Sequence, residues 1–171
     1  MSTKSRRTSI AIAAAGLVAL AIAIAGCGGG GGGGGGGAYG AARATTPSSG
    51  GKASVKLAST KLGKVIVDAK GRTLYLFEAD KGPMSACSGA CASVWPPLTT
   101  SGKPSAGAGV TASKLGTTKR SDGASEVTYN GHPLYTYLGD SAPGQTSGQG
   151  LDDYGAEWYA LSAAGSKIDN G

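Results

Sequence analysis

The chain has 171 residues, of which 32 are glycine, and its aromatic bulk is one phenylalanine, two tryptophans and seven tyrosines. A single histidine and the absence of a Gly-x-Ser-x-Gly turn exclude a convincing serine-type triad. The formal charge of +6 falls to +3 once Lys4, Arg6 and Arg7 leave with an export leader, which argues against nucleic acid as a partner.

Residues 1–26 have the three parts of a signal peptide: the basic start, an uncharged run over residues 10–25, and small residues at the end. The run is short for a membrane span, which needs about 20 apolar residues. Ile24-Ala25-Gly26-Cys27 resembles the lipobox of bacterial lipoproteins, in which the cysteine is diacylated and becomes the mature N-terminus. That resemblance implies an extracytoplasmic protein of the bacterial cell envelope, held to membrane lipid through Cys27. Two acyl chains suffice for stable attachment. An uncleaved signal anchor is the alternative, and Ser5-Arg6-Arg7 adds a hint of twin-arginine export, with Ser9 standing where an aromatic is expected.

Residues 27–53 begin with ten consecutive glycines and continue in Ala, Ser, Thr, Pro and Gly. Such a stretch buries too little apolar surface to offset chain entropy, so a disordered linker is expected, with an r.m.s. span of about 28 Å. Residues 43–81 carry eight basic and three acidic side chains, whereas residues 121–171 carry Lys167 against seven acids. Two complementary halves of one monomeric globule are the simpler reading. The other is a basic face turned to anionic lipid or wall polymer.

The folded part is organised by an internal duplication. Residues 67–83 recur as 127–143 at a constant offset of 60, matching Gly71 to Gly131, Leu74 to Leu134, Tyr75-Leu76-Phe77 to Tyr135-Thr136-Tyr137, and Asp80 and Pro83 to Asp140 and Pro143. Upstream, residues 56–61 parallel 114–119; downstream, Trp95 and Leu98 parallel Trp158 and Leu161. Each copy reads as β. Residues 64–68 and 72–77 flank a glycine turn, and Val127-Thr128-Tyr129 leads through Asn130-Gly131 to residues 134–137. Asn-Gly between such runs is the strongest short hairpin signal. No sustained period of 3.6 appears, so helix is expected to be scarce. The expected fold is all-β: two pseudo-symmetric antiparallel meander repeats, 54–111 and 112–168, packed as one small domain with the tryptophan segments as further strands.

Tyr75-x-Phe77-x-x-Asp80 and Tyr135-x-Tyr137-x-x-Asp140, with Cys87-x-x-x-Cys91, Trp95-Pro96-Pro97 and Trp158-Tyr159, resemble the secreted-repeat lipoprotein family known by a Tyr-x-aromatic-x-x-Asp motif. The resemblance implies repeat architecture and location, since the family's function is unknown. Gln145 stands where many relatives have an acid, which weakens any metal site in that loop.

In an oxidising compartment Cys87 and Cys91 read first as a structural disulfide worth about 2 kcal/mol. They coincide with residues 146–150 of the second copy at offset 59, so one copy uses a crosslink where the other uses a glycine loop. The rival is a redox pair, or copper held by Cys87, Cys91 and His132. No cofactor is expected; copper or haem is the alternative, with covalent haem excluded because Ala92 follows Cys91. Asp80 and Asp140 suggest paired catalytic carboxylates, but an acid between a strand and a proline reads more simply as a turn former. The tyrosines read as core residues with rim hydroxyls, against a sugar-stacking platform. The long loop over residues 139–150 is the better functional surface. Asp152, Asp153 and Glu157 read as a solvated patch rather than a calcium site. Together these readings predict a non-enzymatic binding or structural module whose partner is a cell-wall or envelope component.

Overall fold

The computed structural model describes residues 51–169. The leader, Cys27 and the glycine run lie outside the described residues. Within them run β1 (Ser54–Thr60), β2 (Gly63–Asp68), β3 (Tyr75–Phe77), α1 (Ala90–Val94), β4 (Ser105–Ala106), a 3-10 turn (Ala112–Lys114), β5 (Leu115–Lys119), β6 (Ser125–Tyr129), β7 (His132–Pro133), β8 (Leu151–Asp153) and β9 (Ala156–Ala160). They form three three-stranded sheets, β2-β1-β4, β3-β9-β8 and β5-β6-β7, antiparallel except for the β1/β4 pair. The protein is all-β, and its short helix α1 lies in the disulfide loop.

The expected turns form for the expected reasons. Asn130 and Gly131 take φ of 51° and 85° between β6 and β7, so both central positions of the two-residue loop are left-handed. In the first copy the turn after β2 is held by the Asp68 carboxylate, which accepts from the Lys70 and Arg72 N–H groups at 2.9 Å each. The Arg72 guanidinium closes on the other oxygen at 2.7 Å. Residues 51–53, at the end of the expected linker, are tied down: Ser101 N–H donates to the Gly51 carbonyl, and Ala53 N–H to Thr100 Oγ1.

The two repeats interlock. Tyr75 and Tyr135, related by the offset of 60, exchange both backbone hydrogen bonds at 2.9 and 3.0 Å, so a pseudo-twofold axis runs between them. Around that axis each copy passes its tryptophan segment to the other. The second copy's β9 pairs with β3, opposing Phe77 to Trp158 and Tyr75 to Ala160. The first copy's Trp95 segment lies on the second copy's motif strand, where Thr136 N–H donates to Pro96 and Leu138 N–H to Val94. The two segments differ in regularity. The Trp158 segment is a true strand, whereas the Trp95 segment follows α1 and bridges Tyr135 only at Pro97, because Pro96 and Pro97 have no N–H to extend a ladder.

The core follows from the exchange. Val65 and Val67 of β2 face one buried cluster, with Tyr75, Phe77, Trp95, Tyr135 and Trp158. Ile66 faces the other, with Leu74, Leu76, Val127, Tyr129 and Leu134. Residues 65–68 are therefore all buried, as in a strand with no solvent face. In the first cluster Phe77, Trp158 and Trp95 stack through the axis at centroid separations of 4.1 and 3.9 Å, and Tyr137 packs on Trp95 at 4.4 Å, tilted by 32°. Tyr75 meets Trp95 edge-on and Tyr135 meets Trp158 the same way. Truncating Trp95 or Trp158 to alanine should cost about 3–5 kcal/mol.

Strand exchange predicts that residues 54–111 and 112–168, produced separately, each lack the near-ultraviolet circular dichroism of packed aromatics, and that mixing them restores it. A folded signal from either fragment alone would contradict the interlocked core.

Candidate functional site

The motif residues form two reciprocal struts. The Tyr75 hydroxyl donates to Asp140 Oδ2 at 2.6 Å, and the Tyr135 hydroxyl donates to Asp80 at 3.0 Å, so each copy's tyrosine holds the other copy's aspartate. Each aspartate also organises its own loop. Asp80 accepts from Ala86 N–H at 2.7 Å and Asp140 from Ser147 N–H at 2.8 Å. Burial, aided in Tyr75 by the facing carboxylate, pushes both phenols far above their ordinary range, which makes them donors and not bases. Burial also lifts Asp80 to about 6 despite its hydrogen bonds. As a pair of catalytic carboxylates, Asp80 and Asp140 are poorly placed, since each is bound into a strut.

The symmetry breaks on the Asp80 side. Ser85 Oγ lies 2.7 Å from the Tyr135 hydroxyl and accepts from Arg120 Nη1 at 2.6 Å. Arg120, whose side chain is 2% exposed, also donates to Glu126 at 2.9 Å, to the Cys87 carbonyl at 2.7 Å and to Asp122 at 3.1 Å. Burial works against its charge, but the bonds to Glu126 and Asp122 more than offset that and raise its pKa. Glu126 is fully buried, its Oε1 has no hydrogen-bond partner, and burial lifts it to about 7 against the pull of Arg120. Its structural counterpart in the first copy is Val65, an apolar core residue, because Ile66 bonds Leu161 and Leu74 as Val127 bonds Leu98 and Leu134. Around Asp140 the loop is clasped differently, by Thr73 Oγ1 donating to the Gln145 carbonyl and Gly144 N–H to the Gly71 carbonyl.

Cys87 and Cys91 are joined in a disulfide, with Cα atoms 5.3 Å apart, and both are buried. His132 lies on β7 in a cleft with Phe77, Glu78, Asp80 and Lys167, and partial burial lowers its pKa. Among the described residues no three His, Cys, Asp or Glu side chains are grouped to hold a metal. Of the three acids after the long loop, Asp153 accepts from Trp95 Nε1 at 3.4 Å and Glu157 from the Tyr159 hydroxyl at 2.9 Å. The loop itself is partly core: a Cβ on Gly148 would lie 2.7 Å from Trp95 Cη2.

One family, described as a secreted repeat of unknown function, matches residues 56–99 and 116–162. The chain belongs to that family. Each match starts within the first strand of a hairpin, β1 or β5, and ends just past a tryptophan segment, so one secreted repeat comprises a hairpin, a motif strand, a loop and the segment given to its partner copy. No curated protein and no solved structure matches the chain.

Ser85, Arg120 and Glu126 escape a reading guided by what the two secreted repeats share, because the duplication does not repeat them. A glutamate within the apolar pattern of β6, where the first copy has the run Val65-Ile66-Val67, is the signal that marks them.

Two predictions follow from these contacts. Tyr75→Phe leaves the buried Asp140, and Tyr135→Phe the half-buried Asp80, short of a donor, and each should lower unfolding free energy by about 1–3 kcal/mol, read by denaturant titration. Glu126 and Asp80 have folded pKa values of about 7 and about 6, raised above 4.5 and 3.8, so the folded state binds protons more tightly than the unfolded. Their stability contribution is full below about pH 4 and is lost as pH rises through 6 to 7. The melting temperature should therefore be higher at pH 5 than at pH 8, with Glu126→Gln flattening the difference; an unchanged slope in that variant would contradict the assignment.

Proposed function

We propose that this secreted-repeat protein is anchored to membrane lipid through diacylated Cys27 and serves outside the cytoplasm as a non-catalytic binding or structural module of the cell envelope. The observation that carries the reading is the fate of the motif: its tyrosines and aspartates are spent on holding two copies together. Family membership fits an extracytoplasmic protein. The lipobox-like Ile24-Ala25-Gly26-Cys27 supports the anchor. No helix among the described residues is long and apolar enough to cross a membrane, which fits attachment by lipid. A charged, glycine-rich, enzyme-free module on such a tether samples the space above the bilayer and presents its surface to envelope polymers or proteins.

Mass spectrometry of the exported protein tests the anchor and the absence of a cofactor together. The expected mature chain begins at Cys27, carries two acyl chains, lies two daltons below its reduced mass because of the Cys87–Cys91 bond, and retains nothing else. Cys27→Ser should release it from the membrane fraction. Copper or haem retained in the native spectrum, and lost on replacing Cys87, Cys91 or His132, would instead make this a metal- or redox-handling lipoprotein. Cys87→Ala with Cys91→Ala should cost about 2 kcal/mol of stability without loss of the fold in the cold.

A further inference from the structure

The two hairpins are equivalent by sequence, but their outer edges are treated differently. β1 is covered on its free side by the segment that begins with β4. Gly107 N–H donates to the Val55 carbonyl at 2.7 Å, and Leu57 N–H donates to the Ala108 carbonyl at 3.0 Å. The cover must be small-sided to approach this closely. A Cβ on Gly107 would lie 2.8 Å from Lys56 Cβ, and one on Gly109 would lie 2.5 Å from Leu57 Cδ1. In the second copy the equivalent strand β5 pairs only with β6, and no strand among the described residues lies on its other side. Leading into the stretch that would correspond to the β4 segment, the chain lies against the end of β9: Lys167 bridges Leu161, and Ile168 N–H donates to the Ala160 carbonyl.

The open edge is well defined. Asn130 N–H donates to the Lys114 carbonyl at 2.8 Å, which fixes the alternation along the hairpin. Gly116 and Thr118 then bond inward to β6, and the Leu115 carbonyl, both Thr117 backbone groups and the Lys119 N–H face outward. The same strand, β5, lines a groove of about 590 Å³ together with residues 100–104, and that lining includes Lys103 and Lys119 and no acid. Unpaired edges are a standing template for another strand, and peptide recognition by strand addition uses them.

We infer that β5 is a docking edge for an extended strand of a partner polypeptide, small-sided like residues 105–110 and negatively charged where it meets Lys119. Backbone hydrogen bonds to Thr117 supply the attachment, and a strand running parallel to β5, as β4 does to β1, brings its C-terminal end to the Lys119 ammonium. This inference rests on the binding-module reading and names its surface and the chemistry of its partner.

The probe is the peptide acetyl-Ser-Ala-Gly-Ala-Gly-Val with a free carboxylate, copied from residues 105–110, titrated to millimolar concentration into the mature chain made soluble by Cys27→Ser. Amide chemical shifts should move at residues 115–119 and 100–104 only, with slowed hydrogen exchange at Thr117 and Lys119. Thr117→Pro removes an outward N–H from an edge position that tolerates proline and should abolish the shifts. Lys119→Glu, which leaves the backbone intact, should weaken binding at least about tenfold. No shifts, or shifts elsewhere on the surface, would overturn the docking edge. Concentration-dependent protection of the same amides without peptide, with a dimer in sedimentation, would assign the edge to a second copy and overturn the partner strand. A failure here leaves the anchored, cofactor-free reading standing, since that is read from the mass of the exported protein.

Discussion

The reciprocal pair of backbone hydrogen bonds between Tyr75 and Tyr135 is the constraint on which the rest depends. It brings two equivalent positions face to face, and everything near the axis then occurs twice: two tyrosine hydroxyls reaching across to two aspartates, two tryptophans stacked at 3.9 Å, and two flanking rings outside them. A strut of this kind adds direction to a core whose other interactions are non-directional. It also explains how 119 described residues with few large side chains build two buried clusters, since exchanged segments let each strand near the axis serve both.

Departures from symmetry are where the molecule is individual. The Asp80 strut is wired through Ser85 and Arg120 to a buried glutamate and to the carbonyl of Cys87, so the disulfide loop, the turn after β5 and the motif strand of the second copy share one polar network. The Asp140 strut ends in a loop clasped by backbone and threonine contacts. A charge pair stands where the first copy has the equally buried Val65, and a buried pair with one unsatisfied oxygen is a poor source of stability. Its effect is to make the fold respond to protons at the place where the crosslink sits.

Much of this was legible in the chain. The offset of 60 gave the duplication, Asn130-Gly131 its tightest turn, and the spacing of Cys87 and Cys91 the crosslink. What could not be read was which copy each segment serves. Self-similarity states that Trp95 and Trp158 are equivalent, yet a segment packed in its own repeat and one exchanged with the other have the same pattern of apolar residues. Both tryptophan segments were expected as strands, and the Trp95 segment is not one, because Pro96 and Pro97 lack the N–H groups a ladder needs. The pair β1/β4 was hidden because a two-residue strand of Ser105 and Ala106 has no periodicity to detect. Arg120 and Glu126 were hidden by attention to shared positions, although Glu126 interrupts an apolar run.

The exchange of segments across the axis also gives the contact between the repeats the form of a subunit interface. When residue i pairs with i+60 and the reverse, the contact is isologous, the geometry of a twofold homodimer. A lone repeat would expose the motif strand that the other copy's tryptophan segment covers. Within one polypeptide the two repeats therefore stand to each other as the subunits of a symmetric dimer with swapped ends do. Joined in one polypeptide, the halves need not match: the first carries the crosslink, and the second carries the buried acid and the uncovered edge.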